Sequence, residues 1–173
     1  MRRILMVAPL ALALVMIGGV FLPRSWFYPQ HRPTSLGRLT NRFMSWWACL
    51  GRTLPGIVTL EVKGRRTGRL CSTVLVVAEH NGQRYLVSML GERSEWVRNV
   101  RAAHGAAVLR HGAREHVRLE EVPASQRAPI LKAYLHRADR ARWHFAVGHG
   151  ASPEEFERIA AGYPVFRIVS AAG

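Results

Sequence analysis

The pattern of apolar and polar positions changes character twice along the chain. From Ile4 to Pro23 the sequence carries no charged residue. A helix of that length, at about 1.5 Å per residue, crosses a hydrocarbon core about 30 Å thick. Arg2 and Arg3 precede the run, and the aromatic residues 26–28, of a type enriched at membrane interfaces, follow it. We therefore expect an uncleaved membrane anchor at residues 1–30.

The second pattern is helical and covers residues 36–50. Leu36, Leu39, Phe43, Trp46 and Leu50 recur at three- and four-residue spacing, which predicts one apolar helix face. We assign residues 31–56 to a linker and a docking helix. The apolar face fits either contact with the membrane or core packing under the domain.

From Ile57 onward the pattern is that of strands joined by tight turns. Asn81-Gly82 separates two β-branched, apolar runs and predicts a hairpin, and His111-Gly112 predicts another. The expected strands are IVTLEV from residue 57, LCSTVLVVAEH from 70, QRYLVSML from 83, AAVLRH from 106, AREHVRLEEV from 113 and PVFRIVS from 164.

Three helices are expected between these strands. Ser94 is placed to cap the first, which ends near Gly105. The second covers residues 123–137, with a bend at Pro129. Ser152-Pro153-Glu154-Glu155 is a capping box for the third, which ends near Gly162. Hairpins with few helices predict a mainly β, α+β domain at residues 57–173, folded as a small barrel with peripheral helices.

Charge and composition narrow the function only partly. The chain has 25 basic and 11 acidic residues, a net charge of +14. Such a surface attracts phosphate-bearing cofactors, anionic lipid or nucleic acid, or is a solvated basic face. Cys49 and Cys71 form no CxxC motif, and the histidines show no ligand spacing. We therefore predict no metal site.

The turn Gly64-Arg65-Arg66-Thr67-Gly68-Arg69 is the first candidate site. Flexible glycines free backbone N–H groups, and arginine forks beside them suit a phosphate. A solvated basic turn has the same composition. The chain has neither a P-loop nor a GxGxxG motif after a strand, which argues against nucleotide hydrolysis and a Rossmann site.

The second candidate site is the segment from Ser88 to Asn99. A strand end leads through Gly91 to a helix start, whose free N–H groups can hold an anion or the polar edge of a ring. Trp96 and Asn99 are three residues apart and share a helix face. The alternative interpretation is a core tryptophan with an exposed asparagine.

Taken in order, these motifs resemble the deazaflavin-dependent nitroreductase family. The resemblance covers residues 41–169 and rests on the Gly-Arg-x-Thr-Gly turn, the apolar strand after it, the Asn-Gly hairpin, the Ser-x-x-Gly turn and the Trp-x-x-Asn helix. It implies a split β-barrel related to the FMN-binding oxidoreductases. Met89-Leu90 stands where members often have Lys-Gly, so one cationic contact is lost, for which Arg93 could substitute.

The resemblance also implies a cofactor site and a reaction. Coenzyme F420, a deazaflavin, is the expected cofactor, with FMN as the alternative, and reduced coenzyme gives a hydride to a nitro compound, quinone or activated alkene. Ser88 and Tyr134 are the candidate proton donors. The implied cofactor-binding residues are Arg65, Arg66, Thr67 and Gly68 at the phosphate-bearing tail, Cys71, Ser72, Thr73, Val74, Leu75 and Val76 along the ring, and Ser88, Met89, Trp96 and Asn99 on the opposite wall.

Two other functions stay open from the sequence. One is a non-catalytic barrel that carries a flavin, haem or lipid. The other is a membrane-tethered nucleic-acid binder, which is disfavoured because the strands lack interleaved surface aromatics. Besides a small electron acceptor, we expect membrane lipid as a partner, no nucleic acid, and a homodimer as one possible assembly. Basic residues after the apolar run place the domain at the cytoplasmic face of the cell membrane.

Overall fold

A computed structural model describes residues 56–138, 144–148 and 150–171 of the chain. The expected anchor at residues 1–30 lies outside the described residues, as does the expected docking helix before Gly56. Within the described ranges no helix is both long enough and apolar enough to cross a membrane.

The described residues form a closed, six-stranded antiparallel barrel with the strand order β1-β2-β3-β6-β5-β4. The predicted barrel with peripheral helices is therefore confirmed in outline, and the arrangement is consistent with a split barrel. The strands are β1 (Ile57–Lys63), β2 (Leu70–His80), β3 (Gln83–Val87), β4 (Ala106–His111), β5 (Ala113–Glu121) and β6 (Val165–Ser170).

Both predicted hairpins are confirmed. His80 of β2 pairs with Gln83 of β3, and Asn81 and Gly82 between them have φ values of 49° and 72°. Positive φ at both central residues is what a two-residue type I′ turn requires, and asparagine and glycine tolerate it best. The third strand is shorter than predicted, because the backbone N–H of Ser88 donates to the carbonyl of Pro164 and the chain then turns at Gly91.

The three helices predicted between the strands are present in the described residues as α1 (Glu95–Ala102), α2 (Arg127–Arg137) and α3 (Pro153–Ala160). Ser94 occupies the N-cap position of α1 but makes no side-chain capping bond. The predicted capping box of α3 is confirmed, with Ser152 and Glu155 bonding reciprocally. Pro129 lies in the first turn of α2, where no N–H partner is lost, and the helix is continuous through it.

Two clusters of buried side chains lie on the two sides of the barrel wall. Alternate residues of all six strands, among them Leu60, Leu109 and Phe166, form the inner cluster together with Trp96, Val97 and Val100 of α1. The outer cluster joins α2 and α3 to β2, β3 and β6. Helix α1 is therefore bound to the barrel interior, whereas α2 and α3 cover part of its outside.

Candidate functional site

The turn from Gly64 to Arg69 closes the β1–β2 hairpin. The N–H of Gly64 donates to the carbonyl of Arg69 and that of Gly68 to the carbonyl of Gly64, both at 2.8 Å. Gly68 has a φ of +68°, a conformation that glycine adopts without strain. The hydroxyl of Thr67 accepts from the N–H of Arg69 at 3.4 Å. The sequence motif is thus a turn with its own closing bonds.

Arg65 is held by helix α1. Its backbone N–H and its Nη1 both donate to Oδ1 of Asn99, at 3.2 and 3.0 Å. The same Nη1 donates to Oε2 of Glu95 at 2.7 Å. The hydrogen bond that Arg65 donates to Glu95 raises the pKa of Arg65 and lowers the pKa of Glu95. Arg65 therefore fixes the turn to α1, and its predicted contact to phosphate stays a prediction.

Asn99 is a buried residue, so the expectation of an exposed asparagine is wrong. Its side chain is on the inner side of α1 and the residue is only 5 % exposed. The amide oxygen accepts two bonds from Arg65, one of them from the backbone. Because this buried amide oxygen is hydrogen-bonded, Asn99 has a structural role that its position in the sequence did not reveal.

Three cations around the turn remain directed to solvent. Lys63, Arg66 and Arg69 are exposed, and none has a carboxylate within ion-pair distance among the described residues. Arg66 was predicted for the phosphate site, and Arg69 lies in the same motif. Lys63 was missed, although its place at the end of a strand next to Gly64 could have indicated it. Together these side chains form a cationic hairpin tip.

Strand β2 leads away from this tip with a gradient of burial. Leu70, Cys71 and Ser72 are exposed, Thr73 to Val76 are half-buried, and Val77 and Ala78 are buried. The pairing of β2 with β3 covers only Val77 to His80. In the described pairings, the segment 70–76 thus has β1 on one edge and no strand on the other.

Not all of the residues predicted along the ring face the same way. Successive side chains of a strand point to opposite faces. Leu75 packs with the inner cluster and Val76 with the outer one. A ring on the outer face of β2 would therefore meet Ser72, Val74 and Val76, whereas Cys71, Thr73 and Leu75 point to the other side. The residues predicted to lie along the ring are therefore split between the two faces of β2.

The segment Ser88–Arg93 forms a compact turn before α1. Ser88 is 1 % exposed, and its hydroxyl donates to the carbonyl of Gly91 at 2.9 Å. Met89 is half-buried and packs against the outer cluster. The structure thus gives the Ser88 hydroxyl a turn-closing bond, and proton donation by Ser88 stays a prediction.

Trp96 packs in the barrel interior. It is 8 % exposed, and its ring lies 5.4 Å from that of Phe166 between centroids, tilted by 59°. This is an edge-on aromatic contact of the kind found in protein cores. The alternative interpretation of a core tryptophan describes this position, and contact between Trp96 and a coenzyme ring stays a prediction.

Tyr134 lies in the outer cluster on α2. Its centroid is 5.9 Å from that of Phe145, which in turn stacks on Tyr163 at 4.4 Å. Burial raises the pKa of Tyr134 to about 12. The phenol therefore stays protonated throughout the neutral range. Its role as a proton donor stays a prediction.

Other parts of the described structure offer less for chemistry. No group of His, Cys, Asp or Glu side chains in the described ranges is arranged to hold a metal ion. A shallow depression of about 300 Å³ lies against β5 and the start of α2, with His80, Tyr85 and Arg167 in its lining. None of the predicted site residues lines it. The cationic tip and the adjoining part of β2 are better supported, because cations without an ion pair and a strand edge without a neighbouring strand occur together there within the described ranges.

Comparison with known protein families decides between the remaining functions. The model of the F420H(2)-dependent quinone reductase family matches residues 37–143. The chain belongs to this family. Membership makes the protein an oxidoreductase and assigns coenzyme F420 as its cofactor. The predicted kinship with deazaflavin-dependent enzymes is confirmed.

Solved structures are similar to this member of the F420H(2)-dependent quinone reductase family only at low sequence identity. A domain-swapped dimer is 16 % identical over 78 % of this chain and 96 % of its own, with a TM-score of 0.49. An F420-H2 dependent reductase is 17 % identical over 66 % and 95 %, with a TM-score of 0.45. A protein of unknown function from Agrobacterium tumefaciens is 10 % identical over 67 % and 48 %, with a TM-score of 0.50. Sequence identities this low show a similar fold and nothing beyond it. No curated protein matches the chain significantly.

The residues of the cationic tip suit the cofactor that the family requires. A phosphate-bearing tail needs cations that are not already neutralised, and Lys63, Arg66 and Arg69 meet that condition within the described structure. The adjoining outer face of β2 is open and partly apolar, as a flat ring system needs.

Proposed function

We propose that this protein reduces a quinone with a hydride from reduced coenzyme F420, and that nitro compounds and activated alkenes are further acceptors. Membership of the family supports the quinone. The single observation that carries the proposed site is the cationic tip, where Lys63, Arg66 and Arg69 are exposed and form no ion pair with another described residue.

In this proposal the tip holds the phosphate-bearing tail of the coenzyme. Arg66 and Arg69 supply guanidinium forks, and Lys63 adds a compact charge at the strand end. Arg65 serves the same site indirectly, because its bonds to Asn99 and Glu95 fix the turn on which the other cations stand.

The outer face of β2 supplies the surface for the ring. Ser72 and Val74 offer one polar and one apolar contact there, and Met89 borders the same side of the barrel through the outer cluster. When bound, reduced F420 supplies a hydride, that is two electrons and one proton, and a quinone that accepts it takes up a second proton to become a hydroquinone. The protein's task is to place ring and acceptor together.

Tyr134 is the candidate source of the second proton. Its phenol is neutral at physiological pH, as an ordinary tyrosine is, and burial raises its pKa further to about 12. A neutral phenol can donate a hydrogen bond to a carbonyl oxygen and stabilise the negative charge that develops there. Solvent can supply the proton as well, so Tyr134→Phe should lower turnover by less than about a hundredfold.

The proposal is tested by titrating the protein with coenzyme F420 and with FMN in a calorimeter, and then assaying turnover with a quinone and a nitro compound. Arg66→Ala combined with Arg69→Ala should weaken F420 binding by at least tenfold, since a charge-assisted bond is worth about 1.5–3 kcal/mol. The loss should be larger at low salt.

A matched double variant controls for net charge. Arg118 on β5 and Lys132 on α2 are exposed cations outside the tip, so replacing both by alanine removes the same charge. We expect this variant to bind F420 nearly as the wild type does. Equal losses of F420 affinity in both double variants would show that the cations of the tip act only through the net charge of the protein. Binding of F420 without turnover of either acceptor would favour a non-catalytic carrier instead.

A further inference from the structure

Helix α1 connects the two parts of the proposed coenzyme site. On one side Asn99 bonds to Arg65 of the turn that carries the cationic tip. Two residues further along, Arg101 bonds to Glu92 of the Ser88–Arg93 turn. Residues two apart on a helix point in roughly opposite directions. One rigid helix therefore sets the spacing between the tail-binding turn and the turn on the ring side.

The contact between Arg101 and Glu92 is bidentate. Nη1 and Nη2 of Arg101 donate to the two carboxylate oxygens of Glu92 at 2.6 and 3.0 Å. Arg101 also donates from Nε and Nη2 to both oxygens of Glu121 on β5, at 2.8 and 2.7 Å. Bonds to Glu121 and then Glu92 raise the pKa of Arg101. One guanidinium thus joins the turn, the helix and the end of a barrel strand.

This set of ion pairs ends on a buried cation. Oε1 of Glu121 also accepts from Nη2 of Arg127 at 3.0 Å. The Arg127 side chain is 8 % exposed, and its Nε donates to the carbonyl of Val122 at 2.8 Å. Its Nη1 lies 3.4 Å from the carbonyls of Ala160 and Tyr163 at the end of α3. The pairs Glu92–Arg101–Glu121–Arg127 therefore have one exposed end, at the turn, and one end fixed in the core.

On the side next to β6, backbone contacts and the packing of Met89 hold the Ser88–Arg93 turn. The N–H of Ser88 donates to Pro164, and Gly91 lies so close to the carbonyl of Gly162 that an added Cβ would be 2.7 Å from it. Among the described residues, the ion pair from Arg101 is the side-chain contact that ties Glu92, and with it the other side of the turn, to the barrel.

We propose that Arg101 is a positioning residue for coenzyme binding: through Glu92 it fixes the Ser88–Arg93 turn relative to the cationic tip. The inference rests on the proposed function and deepens it. Individually, exposed ion pairs contribute little to stability. Their role here is geometric, because they hold the turn in the position that the coenzyme needs before it binds, so that less ordering is left to the binding step.

Arg101→Gln and Glu92→Gln test the proposal in the full-length protein. Each should raise the KM for F420 about tenfold while kcat at saturating coenzyme stays within about twofold, since the bound geometry is recovered once the ligand fills the site. The double variant should be no worse than Arg101→Gln alone, because that substitution already removes the contact with Glu92. Melting temperatures should fall by no more than about 4 °C.

Arg167→Gln is the matched control. It breaks the Arg167–Glu120 pair, an exposed contact of 2.6 Å between β6 and β5 that includes no residue of either turn. We expect an unchanged KM from this variant. A wild-type KM in Arg101→Gln, or losses from Arg101→Gln and Glu92→Gln that multiply in the double variant, would overturn the inference. A wild-type protein that does not bind F420 would instead refute the proposed function, so the two failures are distinguishable.

Discussion

At the scale of single residues, two neighbouring arginines of the same turn have different surroundings. Arg65 is bonded to Asn99 and Glu95, whereas Arg66 is exposed and without a carboxylate partner among the described residues. Sequence alone cannot separate them, because both satisfy the same motif. The difference arises because α1 lies beside one side of the turn only.

Asn99 provides a prediction at this scale. Asn99→Ala removes the acceptor for the Arg65 N–H and guanidinium, so the free energy of unfolding should fall by about 1–3 kcal/mol and F420 affinity should fall with it. Asn99→Asp keeps an oxygen at the same place and should restore most of both. Urea unfolding and calorimetric titration of the two variants check this. An alanine variant with wild-type stability would show that the bonds from Arg65 are not needed to hold the turn.

At the scale of elements, the Ser88–Arg93 turn shows why a strand can end before its apolar pattern does. The sequence run QRYLVSML continues to Leu90, but β3 ends at Val87. Ser88 and Gly91 close a turn on themselves, with Gly91 at a φ of +66°. Local bonds of this kind compete with strand pairing, and serine and glycine favour them.

Gly91→Ala is predicted to destabilise the protein for two reasons. The positive φ is unfavourable for alanine by about 1–2 kcal/mol, and the new Cβ would meet the carbonyl of Gly162 at 2.7 Å. Gly112→Ala is the matched control, because Gly112 has a φ of +78° with no atom within 4 Å of the added Cβ. The loss of stability in Gly112→Ala should reflect backbone strain alone. Urea denaturation should therefore show a larger fall in the free energy of unfolding for Gly91→Ala than for Gly112→Ala. Equal falls would mean that the turn moves to accommodate the new Cβ without a further cost.

At the scale of the whole molecule, arginine-carboxylate pairs dominate the described surface. Arg101 lowers the pKa of Glu92, Arg65 that of Glu95 and Arg84 that of Glu115, in each case chiefly through a hydrogen bond. The pairs link different elements, such as α1 with the β1–β2 turn and β3 with β5. The high arginine content is thus partly used inside the fold.

These lowered pKa values predict acid lability. A carboxylate whose pKa is lower in the folded than in the unfolded chain stabilises the fold above the unfolded pKa of about 4.3. That contribution is lost as the pH falls through the folded pKa. The urea midpoint should therefore be nearly constant from about pH 7 to 5 and fall below about pH 4.3. In Arg84→Gln, which removes the partner of Glu115, the fall should be shallower. A midpoint as high at pH 3 as at pH 7 would contradict the prediction.

The apolar run from Ile4 to Pro23 gives a prediction for the full-length chain. We propose that it anchors the protein in the cell membrane with the reductase domain on the cytoplasmic side, where lipid-soluble quinones are accessible. The full-length chain should then sediment with membranes and require detergent, and a chain lacking residues 1–30 should not. Quantitative recovery of the full-length chain in the soluble fraction would refute the anchor.

The sequence by itself determined which stretches of the described residues form strands, hairpins and helices, although not where β3 ends or where α2 begins. Period-two runs, an Asn-Gly turn and a capping box act within a few residues, so their signals are complete in the local sequence. The ordered motifs around Gly64–Gly68 and Trp96–Asn99 also sufficed for the family, and hence for the cofactor. The turns and the capping box could be predicted because their bonds are local, whereas the family inference rests on the resemblance of the ordered motifs.

Tertiary structure alone decided which of the predicted site residues can face a ligand. Arg65 and Asn99 are 34 residues apart in sequence and meet only because the β1–β2 turn folds onto α1. Burial of Trp96 against Phe166 follows equally from closing the barrel, and so does which face of β2 is the inner one. The exposure of a residue and its hydrogen-bond partners depend on the elements that pack against it, and those elements come from distant parts of the chain. No local pattern contains that information.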